Sequence, residues 1–255
     1  MSDFDKDTFK ELDMKRTILS LLTAALLTAC GDSTAPGAQV SLSFSGGPSV
    51  ASPNLGSAPA MSGGAALVIT SAELVLREIE LKRLEVANCD VDPEPAGCED
   101  FEVGPVLINL PVNGATATQV TISVESGTYT EVDFDIHKVS NGDPDDAQFR
   151  SDHPDLIDTS IRVRGTYNGT SFTFVTDLMD TQKYDLVPAL IIDENTASTN
   201  VTIVLNLSTW FLDAQLNPID PASANKGEAN ENLVKDNIKA SIRVFEDMDR
   251  DGSDN

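Results

Sequence analysis

The sequence predicts a mainly β chain folded as an antiparallel β-sandwich, closed by a short helix near its C-terminus. Three observations carry that expectation. Short runs of alternating apolar residues recur from residue 65 to residue 212. Turn-forming residues stand between the runs. A helical spacing shows only near the end, at Val234, Ile238, Ile242 and Phe245.

Taken in order, Val40, Leu42 and Phe44 alternate with serines and suggest a short strand near 39–44, inside a segment otherwise rich in Gly, Ser, Ala and Pro. From Ala65 the strands begin in earnest. Leu67 and Ile69, Leu74 and Leu76, and Ile79 and Leu81 alternate in three sets whose register shifts, as a bulge or turn produces. The stretch 72–86 is also rich in helix formers, so a helix is the competing reading there. Residues 103–112 give a further strand. Residues 116–124 and 128–139 flank the turn signal Glu125-Ser126-Gly127. Ile161 and Val163 lead through Gly165 to Asn168-Gly169, then to Phe172 and Phe174. Asn-Gly between alternating runs is the strongest short hairpin signal, because both central residues need positive φ. Strands over 186–192 and 201–212 complete the set, and the four-four-three spacing predicts a helix over about 230–245.

The chain has 255 residues, ample for one large β domain or two small ones. Its net charge is -24, from 41 acidic and 17 basic residues. Such a surface repels phosphate backbones and argues against a nucleic-acid partner. It suits divalent cations or basic partners, with solubility as the plain alternative. Residues 14–30 read MKRTILSLLTAALLTAC: a basic Lys15-Arg16, then an apolar stretch from Thr17 to Ala29. That stretch falls short of the ~20 residues a transmembrane helix needs, so it reads as an export signal. Leu27-Thr28-Ala29-Cys30 resembles the lipobox of bacterial lipoproteins. The resemblance implies that Cys30 carries acyl chains and anchors the chain in a lipid bilayer. Gly31 follows, not the aspartate that retains many lipoproteins at the inner membrane, so the cell envelope and its outer membrane are the expected location. The acidic residues 1–13 are unlike the start of a signal and read as a misassigned upstream start, with translation beginning at Met14. The expected organisation is then 14–29 signal, 30–64 lipidated Cys and tether, 65–215 sandwich, and 216–255 a C-terminal loop, helix and acidic tail.

The region from about 38 to 252 also resembles uncharacterised bacterial lipoproteins with a transthyretin-like sandwich, an architecture close to the immunoglobulin-like one. The residues carrying this are Gly127-Thr128-Tyr129 with the following strand, Asp177-Leu178, the pair Trp210-Phe211, and the closing run 245–252. The resemblance implies fold and location and brings no activity with it.

Cys89 and Cys98 remain after Cys30. In an oxidising compartment they read as a disulfide closing a small loop, for which chain entropy gives ~2.5–3 kcal/mol. A thiolate metal site is the alternative, weakened by the lack of a neighbouring histidine.

Two acidic constellations point to cations. At the C-terminus Asp247, Asp249 and Asp251 alternate and Gly252 follows, which resembles the first half of an EF-hand calcium loop placed after a helix. Carboxylates at loop positions one, three and five converge on the ion, glycine at six makes the turn, and Ser253 offers its backbone carbonyl at seven. The bidentate Glu of position twelve is missing from the sequence, so calcium would be held weakly or with help from elsewhere; a solvated acidic tail is the plain alternative. The second constellation is Glu131, Asp133, Asp135 and His137, which alternation places on one face of a strand. They either hold a divalent metal or form the wet face of an amphipathic strand.

No Gly-x-Ser-x-Gly, HExxH or phosphate-loop motif occurs. The expected function is thus a non-catalytic envelope lipoprotein that presents the sandwich to a protein or glycan partner. The rival readings are a metal-dependent surface hydrolase using the Glu131–His137 face, and an adhesion or carbohydrate-binding module with Trp210 and Phe211 exposed.

Overall fold

Alternating strands need a second layer to bury their apolar faces, and in the computed structural model two sheets supply it. The structure describes residues 38–47, 67–84, the backbone of 98–102, and 104–253. The small sheet has the order β11-β10-β1-β5, with β1 Ala38–Ser45, β5 Thr116–Val124, β10 Ser198–Leu205 and β11 Ile242–Glu246. Strand β1 runs parallel to β10 and antiparallel to β5. The large sheet has seven strands: β2 Leu67–Arg83, β3 Cys98–Glu102, β4 Val106–Leu110, β6 Gly127–Ile136, β7 Ile161–Tyr167, β8 Thr170–Thr176 and β9 Asp180–Ile192. Apart from β1 with β10, every pairing is antiparallel. Among the described residues two short α-helices, α1 Ala147–Asp152 and α2 Glu231–Ala240, and three 3₁₀ turns complete the elements. The mainly β, two-sheet, mostly antiparallel expectation therefore holds.

The residues of 72–86 that suggested a helix lie in β2 as far as Arg83. This strand is the hub of the large sheet. It pairs with β7 over residues 67–74, β4 over 72–76, β6 over 76–83 and β3 over 79–82. The expected register change is real. A shift falls between Arg77 and Glu80, with Glu78 at φ 51, and it lets Leu74, Leu76, Ile79 and Leu81 all be fully buried. Asn168 and Gly169, at φ 52 and 79, make the two-residue turn between β7 and β8 that their sequence demands. Gly165 in β7 has a packing reason too: a Cβ there would stand 2.0 Å from the Val68 carbonyl oxygen of β2.

Other expectations are corrected. The strand at 39–44 is no island in a tether: β1 lies between β10 and β5, with Val40, Leu42 and Phe44 fully buried in the shared core. The sandwich therefore starts before residue 65 and, with β11, ends beyond 215. The turn expected at 125–127 is present and carries the chain from β5 of the small sheet to β6 of the large one. The helix expected over 230–245 stops at Ala240, where Ser241 turns the chain into β11. A spacing of four, four and three also satisfies a helix followed by a strand, because Ile242 and Val244 alternate inward toward the core. The strand expected over 201–212 ends at Leu205, since the Asn206 side chain accepts the Ser208 N–H and opens a single 3₁₀ turn.

One apolar core joins both sheets with α2. It takes Val201, Ile203 and Leu205 from β10, Phe134 and Ile136 from β6, Phe174 from β8, and Val234 and Ile238 from α2. Leu42→Ala tests whether β1 belongs to it. The substitution is expected to lower the unfolding free energy by about 2–5 kcal/mol in denaturant melts, whereas a residue in a tether would leave the midpoint unmoved.

Candidate metal centre

The small sheet has an unusual second face. Strand alternation sends Ser41, Ser43 and Ser45 of β1, with Asn200 and Thr202 of β10, away from the core, yet all five are buried. Buried polar groups must find partners. Ser41 Oγ lies 3.0 Å from Thr121 Oγ1, and Ser43 Oγ lies 2.9 Å from Thr118 Oγ1. Ser43 donates to Asn200 Oδ1 at 2.6 Å, and Asn200 Nδ2 donates to Thr202 Oγ1 and to the Asp247 carbonyl.

The network leads directly into the C-terminal acidic loop. Asp247 follows β11, and its N–H donates to the Asn200 carbonyl, extending the β10–β11 ladder by one step. The loop thus follows a strand, not the helix expected from sequence. Asp247 is fully buried. Its Oδ2 accepts from Thr202 Oγ1 at 2.8 Å and from the Gly252 N–H at 3.0 Å; its Oδ1 accepts from the Asp251 N–H at 3.1 Å. Asp249 Oδ1 accepts from the same Asp251 N–H, and Asp251 Oδ1 accepts from the Ser253 N–H at 2.7 Å. Gly252 at φ 81 makes the turn that folds the loop back on β1 and β5. Arg250 completes the lid by donating to Ser41 Oγ.

One carboxylate oxygen from each of Asp247, Asp249 and Asp251 lies within 4.8 Å of the others. Two oxygens bound to one calcium at 2.3–2.6 Å stand no more than about 5 Å apart, so the loop already has the dimensions for that ion. Among the described residues no Lys or Arg pairs with the three carboxylates, which leaves their mutual repulsion uncompensated by protein charge.

The other acidic constellation separates. Glu131, Asp133 and Asp135 lie in β6 on the large sheet. Asp133 is buried and its Oδ2 is held by two ammonium groups, Lys82 at 2.6 Å and Lys183 at 2.8 Å. Asp135 accepts from Thr181 Oγ1 at 2.6 Å. Burial and then the neighbouring Asp133 push the Glu131 carboxyl above its usual range, against the opposing pull of Lys82 and Lys183. His137 lies just past the end of β6 and turns instead to Asp146, with Nε2 2.7 Å from Oδ1. Asp143 and Asp146, which complete that cluster, belong to no periodic pattern, and the sequence marks them only as part of the acidic run Asp143-Pro144-Asp145-Asp146.

Trp210 is a core residue. It is fully buried, and its Nε1 donates to Ser241 Oγ at 2.8 Å. Phe211 is buried beside it, edge-on to Phe172 and Phe174. Neither ring is an exposed platform for a sugar. Cys30 and Cys89 lie outside the described residues. Cys98 opens β3 opposite Lys82, and its side chain lies outside them as well.

Compared with protein-family models, curated proteins and solved structures, the chain finds no match in any of the three.

The Glu131 environment has a consequence for stability. A carboxyl whose folded value is raised favours the folded state while it is protonated. That contribution is complete below the ordinary value near 4.5 and is lost as pH rises through the higher folded value. Glu131→Gln is therefore expected to remove part of the fall in melting temperature above about pH 4.5. Parallel melting curves across pH for variant and wild type would refute this environment by superimposing.

Proposed function

We propose that this chain is a non-catalytic lipoprotein of the bacterial cell envelope, anchored through acyl chains on Cys30. Its acidic β-sandwich serves binding or structural support toward a protein or glycan partner, and the loop 247–253 holds calcium. The observation that carries the reading is the leader: a basic pair, a short apolar stretch and the sequence Leu27-Thr28-Ala29-Cys30. Acyl chains contribute about 0.8 kcal/mol per buried methylene, so several chains together make release from the bilayer negligible. Gly31 after the cysteine favours the outer membrane. The position of β1 then sets the reach of the body. From Cys30 to Ala38 the polypeptide spans at most about 30 Å.

Calcium fits the loop on three grounds: an alternating aspartate motif, convergence of its carboxylates, and the absence among the described residues of a basic partner for them. The ion's role is structural. It binds the lid that completes the polar network over β1 and β10, and so secures β11 at the edge of the small sheet. An acidic surface of this strength remains unsuited to nucleic acid.

Two measurements test the reading. Cells fed labelled palmitate are expected to label the wild type in the membrane fraction, and Cys30→Ser is expected to lose both label and membrane association; a labelled serine variant would sink the anchor. For calcium, an ion present at ten times its Kd stabilises by about 1.4 kcal/mol. For a body of this size that raises the melting temperature by about 3–6 °C. The double variant Asp249→Asn, Asp251→Asn is expected to abolish the rise. It leaves the structural Asp247 in place. No shift in the wild type at millimolar calcium would retire the site.

A further inference from the structure

We propose that His137, Asp143 and Asp146 form a separate metal site. It takes a transition ion of the zinc class and staples the loop between β6 and α1 to the end of β6. The inference does not depend on calcium at the C-terminal loop, because the residues lie just past β6 and in the loop that follows it, and none is shared.

The local chain path brings the three together. His137 directly follows β6, and its N–H donates to the Val75 carbonyl at 3.0 Å, which holds it against β2. Asp146 is the residue immediately before α1. Its Oδ1 meets His137 Nε2 at 2.7 Å, and its Oδ2 accepts the Ser140 N–H at 2.6 Å. Asp143 sits between them in sequence, with Oδ2 3.2 Å from Arg77 Nη1.

Asp146 is 0% exposed and His137 only 3%. A carboxylate removed from water needs a compensating cation. Among the described residues no Lys or Arg reaches Asp146. Arg150 is close in sequence, but it donates to the carbonyls of Ser140 and Asp143 instead. The protein meets the Asp146 carboxylate through its contacts with His137 and Ser140 alone, and a metal shared by all three side chains would supply the missing charge.

The dimensions suit the metal. One ligand atom from each residue lies within 4.8 Å of the other two. Ligands at 2.0–2.2 Å from a tetrahedral zinc stand about 3.3–3.6 Å apart, so a pair at the 4.8 Å limit must draw in by up to about 1.5 Å. The His137–Asp146 pair must open from hydrogen-bond contact to about 3.3–3.6 Å as the ion replaces the bridging proton. One imidazole nitrogen with two carboxylates selects zinc, manganese or iron over calcium, which prefers oxygen alone. Arg77 orients Asp143 as an outer partner orients a ligand. With three protein ligands, the fourth position of a tetrahedral ion falls to a water molecule.

The test uses the purified full chain, stripped with a chelator. Titration with Zn2+ is expected to show one equivalent bound and a raised melting temperature. Co2+ in its place is expected to give visible d–d bands. Asp143→Asn, at a half-exposed position and of the same shape, is expected to fold as the wild type does and to weaken zinc binding at least about tenfold. Asp249→Asn with Asp251→Asn is expected to leave zinc binding unchanged. Should the wild type melt identically with and without Zn2+ and give no cobalt bands, the cluster is a His–Asp ion pair alone and the proposal falls. It falls equally if Asp143→Asn binds zinc as tightly as the wild type.

Discussion

A serine shut away from water must find a hydrogen-bond partner, and in β1 three of them, Ser41, Ser43 and Ser45, are buried in a row. That requirement governs the small sheet. The other face of the same strand carries Val40, Leu42 and Phe44 into the core, so from Val40 onward β1 is buried on both faces. Its inner face is satisfied by apolar contact. On its outer face Ser45 accepts the Gly47 N–H, while Ser41 and Ser43 find their partners because β5, β10 and the loop after β11 deliver hydroxyl, amide and guanidinium groups at the right register. Thr118 and Thr121 come from β5, Asn200 and Thr202 from β10, and Asp247 closes the far end.

This arrangement explains why the acidic loop is more than an exposed tail. Asp247 serves two masters: the fold, through Thr202 and the backbone of Gly252, and the aspartate cluster, through its position beside Asp249 and Asp251. A cation at the cluster would therefore act on the same residue that terminates the polar network. Neutralising the three carboxylates and holding β11 in place become one event, because the loop, the ladder and the network share Asp247.

The large sheet solves its charge problem differently. Its wet face mixes signs, so acids meet bases directly. Asp133 receives two ammonium groups, and the Arg162 guanidinium lies between Glu73 and Asp155. Arg162 is held well above even the usual arginine range, its hydrogen bond to Glu73 outweighing burial. Asp177 is drawn down to about 2 by hydrogen bonds from Lys226 and Lys235, which tie the segment after β8 to α2 and the loop before it. Where protein charge is at hand, no outside cation is needed. Where it is lacking, at Asp247–Asp251 and at Asp146, the geometry leaves room for one.

The sequence alone determined much that depends on neighbours within a few residues. Alternation marked the strands, Asn168-Gly169 fixed one hairpin, and the shift from Leu76 to Ile79 marked the bulge in β2, because each is a local steric or periodic effect. What lay beyond local reach was pairing. Whether Val40 to Phe44 belong to a tether or to the middle of a sheet depends on β10, more than 150 residues away. The turn at Glu125 to Gly127 reads the same whether it closes a hairpin or crosses between sheets. Ile242 fits a helix or a strand until β10 offers it a ladder. His137 shows the same limit at a site: strand alternation aligned it with Asp133 and Asp135, but β6 ends one residue before it, and the imidazole is directed by a loop that folds back with Asp146. Side-chain direction past the end of an element is set by tertiary contact, and no period in the sequence records it.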